Sequence, residues 1–413
     1  MPFPVIILAI VFALIAVRQI GNVRLEIWQI MIGGAVAVLA YGSITPVKSL
    51  RSIDADVMLF LFGMFVVGRA LEASGYLSHF SYHYFRRATT RDGMLLLVMF
   101  GAGFASAFLM NDTLAIIGTP VVLLLARKHE MRPTVLLLTL CIAVTTGSVL
   151  SPIGNPQNLL IALHGGIVDP FVTFFQWLFV PTVINLVLAF SFLRWFYPDD
   201  FHAAKLKHSQ EPIHDHQLAM LSRLSLQTIV ALVALKVLGV AFGWTFELPL
   251  TVIALASALP VLLGSRRRWQ ILRRIDWPTL AFFAAMFILM EAVWLSGFFQ
   301  DLMRRWDVRL VSVESVLGVS VLLSQAISNV PLVALVQPLV LAAGGGEREL
   351  MALAAGSTIA GNMFILGAAS NIIVIQSAER RSHATVTFWE FARIGMPLTI
   401  AQTAVYWGWI QLW

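Results

Sequence analysis

The sequence predicts an all-α polytopic membrane protein with two inverted-topology repeats. Its parts are about ten transmembrane helices, two re-entrant helical hairpins and two broken helices. Three observations predict it. Only 12% of the 413 residues are charged and 59% are hydrophobic, where a soluble domain carries about 25% charged residues. The apolar residues gather into runs of spanning length. Four segments of the first half recur, in the same order, in the second.

Composition also removes several function classes. The formal charge is +6, but the basic residues form short clusters between apolar runs, as in cytoplasmic loops, with no aromatic-interleaved stripe for nucleic acid. Cys141 stands alone, so neither a disulfide framework nor a cysteine metal site is expected. His79 and His83 lack a third metal ligand, and His202, His208, His214 and His216 match no metal template in what reads as a solvated linker. No phosphate-binding loop, Ser–His pair or carboxylate pair points to an enzyme, and no cofactor is implied. The apolar run from Phe3 to Val17 is followed, not preceded, by Arg18 and Arg24. It reads as a retained first span rather than a cleaved leader.

A spanning helix needs about 20 mostly apolar residues. The runs that meet this are 3–20, 27–46, 56–74, 133–152, 171–194, 225–243, 248–265, 278–296, 350–376 and 388–410. Two others, 94–127 and 312–343, are too long for one span and too short for two with a loop. Polar residues mark their midpoints, Asn111-Asp112-Thr113 and Ser328-Asn329, so each is expected to enter and return to the same side. Polar backbone is tolerated at membrane depth only where protein or a cavity surrounds it.

The repeat aligns MLFLFGMFVVGRALEASGYL (from Met58) with LAFFAAMFILMEAVWLSGFF (from Leu280), each preceded by Ile-Asp. It then aligns AFLMNDTLAIIGTPVVLL with QAISNVPLVALVQPLVLA, placing Asn111 on Asn329 and Pro120 on Pro338. Next VTTGSVLSPIGNPQNLLIA aligns with GSTIAGNMFILGAASNIIVI, placing Gly154 on Gly367 and Asn158 on Asn371. Finally FFQWLFVP resembles FARIGMP. The expected organisation is a first repeat 1–196 (scaffold 1–52, transport core 53–196), a cytoplasmic linker 197–223, and a second repeat 224–413 (scaffold 224–265, transport core 275–413). Each half has five crossings and a hairpin, so the second enters from the opposite side. Inverted repeats of this kind mark secondary transporters. With both termini outside, the inner loops hold clusters such as Arg86-Arg87, Arg266-Arg267-Arg268 and Arg380-Arg381. The outer loops hold only Lys48, Arg51, Arg304, Arg305, Arg309 and Arg348, a strong positive-inside bias.

The chemistry is expected where polarity and helix breakers meet. Each half pairs a polar hairpin tip with a glycine-broken helix, Ser151 to Asn158 answered by Gly367 to Asn371, the first also carrying Pro152 and Pro156. Freed carbonyls and half-helix ends at such breaks serve substrates and coupling ions. The candidate solute contacts are Asn111, Thr113, Gly154, Asn155, Asn158, Ser328, Asn329, Ser370 and Asn371. Asp112 is the candidate proton or ion carrier, because a carboxylate at membrane depth costs about 2.5–3.5 kcal/mol on insertion scales and is functional by default. Arg69 and Glu291 occupy equivalent positions inside spans and are expected to pair across the pseudo-two-fold or, alternatively, to steer or gate the solute.

The two hairpin-and-broken-helix cassettes resemble the ion transporter superfamily: arsenite permeases, NhaD-type sodium/proton antiporters and divalent anion/sodium symporters. FLMNDTLAIIGTPVVLL followed by GSVLSPIGNPQNLLIA looks most like the arsenite permease branch and its YbiR-type anion transporter relatives. The resemblance covers about 53–190 and 275–400. It implies a scaffold and a moving core, with solute held between the hairpin tips and the breaks. It implies a multi-pass protein of the inner membrane. It further implies a homodimer and, as in some arsenical systems, a cytoplasmic ATPase subunit, although no span announces a dimer face and no residue demands the ATPase. The sodium/dicarboxylate branch shows Ser-Asn-Thr at both tips, and this chain has Asn-Asp-Thr and Ser-Asn-Val. That departure, with Asp112 repelling anions, favours proton-coupled efflux of arsenite or antimonite, neutral hydroxides suited to amides and hydroxyls. The alternatives are a sodium- or proton-coupled carrier of another small anion such as sulfate or a dicarboxylate, and a sodium/proton antiporter.

Overall fold

The computed structural model describes residues 1–413 apart from 18, 21–22, 25, 77–87, 89, 202–214, 242–247, 299–300, 302–309, 328 and 383. Ser328, His79, His83, His202, His208 and His214 lie outside the described residues. The first repeat runs α1 (Phe3–Val17), α2 (Ile27–Ala40), α3 (Pro46–Ser52), α4 (Ala55–Ser74), α5 (Arg91–Leu109), α6 (Asn111–Lys128), α7 (Pro133–Ser148), α8 (Pro156–His164) and α9 (Pro170–Phe196). The second runs α10 (His216–Ala241), α11 (Leu250–Gly264), α12 (Arg268–Arg273), α13 (Trp277–Leu295), α14 (Val313–Ile327), α15 (Asn329–Ala342), α16 (Glu347–Ile359), α17 (Ala369–Ser382) and α18 (Phe388–Gln411). A two-residue antiparallel ladder, Gln19–Ile20 on Val23–Arg24, lies between α1 and α2, and the sequence did not announce it.

The expected fold class is present, and the repeat is visible in how equivalent helices begin and end. Asp54 caps α4 by accepting the Val57 amide at 2.9 Å, and its equivalent Asp276 caps α13 by accepting the Thr279 amide at 3.1 Å. Such caps satisfy amide donors that have no intrahelical partner. Gly75 and Gly297, which follow α4 and α13, both turn at φ 70°, a conformation that favours glycine. Among the described residues, five helices are long and apolar enough to cross a bilayer by length and composition, including the 27-residue α9.

Packing repeats as well, with partners exchanged between the halves. In the first half α4 lies against α10 and α11; in the second α13 lies against α1 and α2. The hairpin arm α5 packs on α7, as α14 packs on α16, and α6 packs on α17, as α15 packs on α8. The axis passes between α9 and α18, which pack on each other. The backbones of α5 and α7 come very near each other: a Cβ at Gly147 would lie 2.0 Å from the Gly103 carbonyl oxygen. Only glycine permits that contact.

Both hairpins and both broken helices sit where the sequence placed them. The first hairpin reverses at Met110, which has φ 64° and ψ 140°, so Asn111 and Asp112 open the returning helix α6. The second hairpin joins α14 to α15. The first broken helix opens between Ser148 and Pro156. The second opens between Ile359 and Ala369 through two 3-10 turns, Ala360–Asn362 and Ile365–Gly367.

Candidate solute and ion site

The first hairpin tip docks on the first break through main chain: the Asn111 amide donates to the Gly154 carbonyl at 2.9 Å. Since Gly154 lies between two halves of a crossing element, the tip stops inside the protein instead of emerging. Gly154 admits no side chain, because a Cβ there would lie 2.2 Å from the Ser148 carbonyl oxygen. Asn111 Oδ1 accepts the Asp112 amide at 2.9 Å. Thr113 is buried and turned to α4, its Cγ2 only 2.5 Å from where a Cβ on Gly68 would sit. Asp112 forms no ion pair among the described residues.

The first break is closed by its own amides. Asn158 Nδ2 donates to the carbonyls of Ser148 (3.1 Å), Val149 (3.2 Å) and Ser151 (3.1 Å), the acceptors that the interrupted α7 leaves over. Asn155 caps α8 by accepting the Asn158 amide at 2.8 Å, and its Nδ2 donates to Ser148 Oγ at 3.0 Å. Both side chains also reach Thr358 Oγ1, at the end of α16: Asn155 Nδ2 donates to it at 3.2 Å, and it donates to Asn158 Oδ1 at 3.4 Å. Gln157 Nε2 adds a third contact to Thr358, at 3.3 Å. Asn155 and Asn158, expected as solute contacts, are wholly buried and engaged in holding the break.

The second break copies part of this arrangement. Asn371 Nδ2 donates to the Gly361 carbonyl at 2.7 Å, matching the bond from Asn158 to Ser148. The repeat places Ala368 where Asn155 stands, Ser370 where Gln157 stands and Thr145 where Thr358 stands. Two amides are therefore missing. Thr145 Oγ1, Ser370 Oγ and Asn371 Oδ1 are buried with no hydrogen-bond partner among the described residues, as are Gln325 Oε1, Asn329 Oδ1 and Asn362 Oδ1. Three of these side chains stand beside the glycines of the second break. A Cβ on Gly361 would lie 3.3 Å from Thr145 Cγ2 and 3.6 Å from Asn329 Nδ2, and one on Gly367 would lie 3.3 Å from Gln325 Oε1. A buried acceptor left unmade costs about 1–3 kcal/mol, so a cluster of them calls for a ligand that brings donors or positive charge. Among the described residues no lysine or arginine stands in it, and none of the His/Cys/Asp/Glu groupings that would hold a metal ion is present.

The structure thus sets Asn329 beside Gly361, to which Asn371 also bonds, joins Asn111 to Gly154, and turns Thr113 elsewhere. It adds Thr145, Gln325, Thr358 and Asn362, which the sequence reading passed over. The aligned repeat did contain the signal, since Thr145 falls on Thr358. The expected Arg69–Glu291 pair does not form. Arg69 pairs with Glu72 on its own helix, and Glu291 pairs with Lys48 of α3 at 3.4 Å. Inversion explains the correction: equivalent positions near the ends of α4 and α13 lie at opposite faces of the protein.

Comparison with known proteins places this geometry. The profile of the citrate transporter family matches residues 7–349. The chain belongs to that family. It lies within the ion transporter superfamily, and it is a membrane transporter, not an enzyme. The chain is 29% identical to an uncharacterized transporter of Mycobacterium tuberculosis, covering 97% of each protein. It is 28% identical to a silicon efflux transporter of rice, Oryza sativa subsp. japonica, covering 90% of each. The crystal structure of the Alcanivorax borkumensis YdaH transporter superposes with a TM-score of 0.61 at 15% identity, covering 100% of this chain and 98% of that one, a likeness of fold alone.

Proposed function

We propose that this member of the citrate transporter family is a proton-coupled exporter of a small uncharged hydroxide, arsenite or antimonite, of the arsenite permease type. The observation that carries the reading is the set of partnerless buried oxygens on residues in and beside the second break, Thr145, Gln325, Asn329, Asn362, Ser370 and Asn371, with no basic side chain among them. Arsenous acid at neutral pH is a trihydroxide that offers three O–H donors and no charge. A citrate-like trianion would bring further acceptors and negative charge to these oxygens and find no arginine to receive them. Asp112, without a counter-ion and at the head of α6, carries the coupling proton between the faces.

The mechanism divides the chain by packing. α1–α4 and α10–α13, which hold one another through the exchanged contacts, form the scaffold. The two hairpins, the two broken helices, α9 and α18 form the moving core, so the boundary falls after α4 and after α13. Rocking of that core exposes the second break to one face and then the other. The protein sits in the cytoplasmic membrane with both termini outside, in keeping with its basic loops.

A second reading takes silicic acid as solute. The rice relative is a silicon efflux transporter, and silicic acid is likewise neutral and rich in O–H donors. Sodium coupling is the third arm, because amide and hydroxyl oxygens also suit a hard monovalent cation. The deciding measurement is As(III) and silicic acid uptake into everted vesicles, acid inside, with and without sodium, for wild type and Asp112→Asn. Proton-driven, sodium-independent uptake that the variant loses is the expected outcome. Vesicles that hold folded protein and take up neither hydroxide would sink the reading.

A further inference from the structure

The short helix α12 (Arg268–Arg273) and its flanks carry a charge pattern that transport does not use. Arg266, Arg267, Arg268, Arg273 and Arg274 are all exposed. Arg267 is tied to Asp215 at 3.3 Å. The other four make no ion pair among the described residues. Some other arginines of the inner loops are committed: Arg91 donates to the carbonyls of His129 and Glu130, Arg132 pairs with Asp200, and Arg194 pairs with Asp92. Arg127 and Arg223 are exposed and make no ion pair among the described residues, but each is the single arginine of its helix. What sets α12 and its flanks apart is that four such arginines stand together within nine residues.

Two tryptophans frame them. Trp269 is 66% exposed and Trp277 49%, and the Trp277 ring is fixed by its Nε1–H donating to the Leu272 carbonyl at 2.9 Å. Ile271, between them, is buried against the bundle. Exposed indoles beside guanidinium groups at the ends of spans belong to the headgroup layer of a bilayer. The equivalent helix of the first repeat, α3, serves as an internal control. It has no tryptophan and only Lys48 and Arg51 as cations, and Lys48 is neutralised by Glu291. The platform is therefore built into one end of the molecule only.

We propose that Arg266, Arg268, Arg273 and Arg274, with Trp269 and Trp277, form a binding platform for the headgroups of anionic phospholipids. Guanidinium groups bind phosphate oxygens in bidentate fashion, and each cation near an anionic leaflet strengthens attraction. The platform joins α11 to α13, both of the scaffold, so bound lipid would hold the scaffold while the core moves. That the inner leaflet supplies the lipid rests on the orientation proposed above; the binding itself does not.

The test is native mass spectrometry of the delipidated full-length transporter titrated with phosphatidylglycerol, phosphatidylcholine or glycerol phosphate. Wild type is expected to retain phosphatidylglycerol about tenfold or more over phosphatidylcholine. R266A/R268A/R273A/R274A should lose that preference, R266K/R268K/R273K/R274K should keep much of it, and R51A/R381A, at other exposed cations, should leave it intact. Equal retention of the two lipids by wild type overturns the proposal, and this arm needs no variant to fold. A preference that survives the alanine variant also overturns it. Displacement of the bound lipid by glycerol phosphate at equal concentration would show a free-phosphate site instead and overturn the assignment to lipid.

Discussion

Asn158 and Asn371 hold equivalent positions and make equivalent first bonds, yet they are predicted to behave differently on substitution. Asn158→Ala strips the donor from three carbonyls at once. At about 1–3 kcal/mol for each buried group left unmade, the loss is large for the fold, and thermal melting in detergent should fall by many degrees. Asn371→Ala removes one bond, to Gly361, and one of the partnerless acceptors. It should lower melting far less than Asn158→Ala, by the worth of one buried carbonyl, and also raise the KM for the exported hydroxide by about two- to tenfold, the worth of one hydrogen bond. Paired melting and flux curves check both, and a KM left unchanged by Asn371→Ala would remove that residue from the site. Asp112→Asn is predicted to abolish proton-driven flux while leaving solute counterflow, because the amide keeps the shape of the tip and loses only the exchangeable charge.

At the scale of elements, the caps and breaks show how much the sequence could disclose. Helix breakers within apolar runs located both broken helices, since proline and glycine act locally and need no tertiary knowledge. The reversal at Met110 was legible only through its polar neighbours, because methionine carries no turn signal. The roles within the breaks were not legible. Asn158 and Asn371 look alike in sequence, and Thr358, far from Asn158 in the chain, decides that the side-chain oxygen of Asn158 is engaged while that of Asn371 has no partner among the described residues. The Asp54–His164 contact belongs here too. It joins the start of α4 to the last residue of α8 at 2.8 Å, and no motif announced it. Burial raises the Asp54 carboxyl, but the hydrogen bonds from His164 and the Val57 amide more than offset this, and its pKa lies below the ordinary value. A carboxylate depressed in the folded state contributes stability above its unfolded pKa of about 4 and loses it as pH falls through the folded value. Melting of wild type between pH 7 and pH 3 should therefore fall more steeply than that of Asp54→Asn. Parallel curves would show that Asp54 contributes nothing to acid sensitivity.

At the scale of the whole molecule, the exchanged packing makes a prediction about motion. α4 is held by α10 and α11 of the other repeat, while α8 belongs to a broken helix whose break carries the hairpin tip. If the boundary between scaffold and core runs between them, the Asp54–His164 contact bridges two bodies that move apart in each transport cycle. A covalent bond there must then stop transport, whereas a bond within one body must not. The chain suits the experiment, since its one cysteine, Cys141, is buried. Cysteines at Asp54 and His164 should cross-link with a short bifunctional thiol reagent. They should lose flux in proportion to the cross-linked fraction and recover it when a cleavable linker is reduced. A control pair at Lys48 and Glu291, both in the proposed scaffold and in contact at 3.4 Å, should cross-link equally well and leave flux intact. Full transport through a cross-linked 54–164 pair would mean that α4 travels with the core. The boundary would then return to the one expected from the repeat alone, before α4 and not after it.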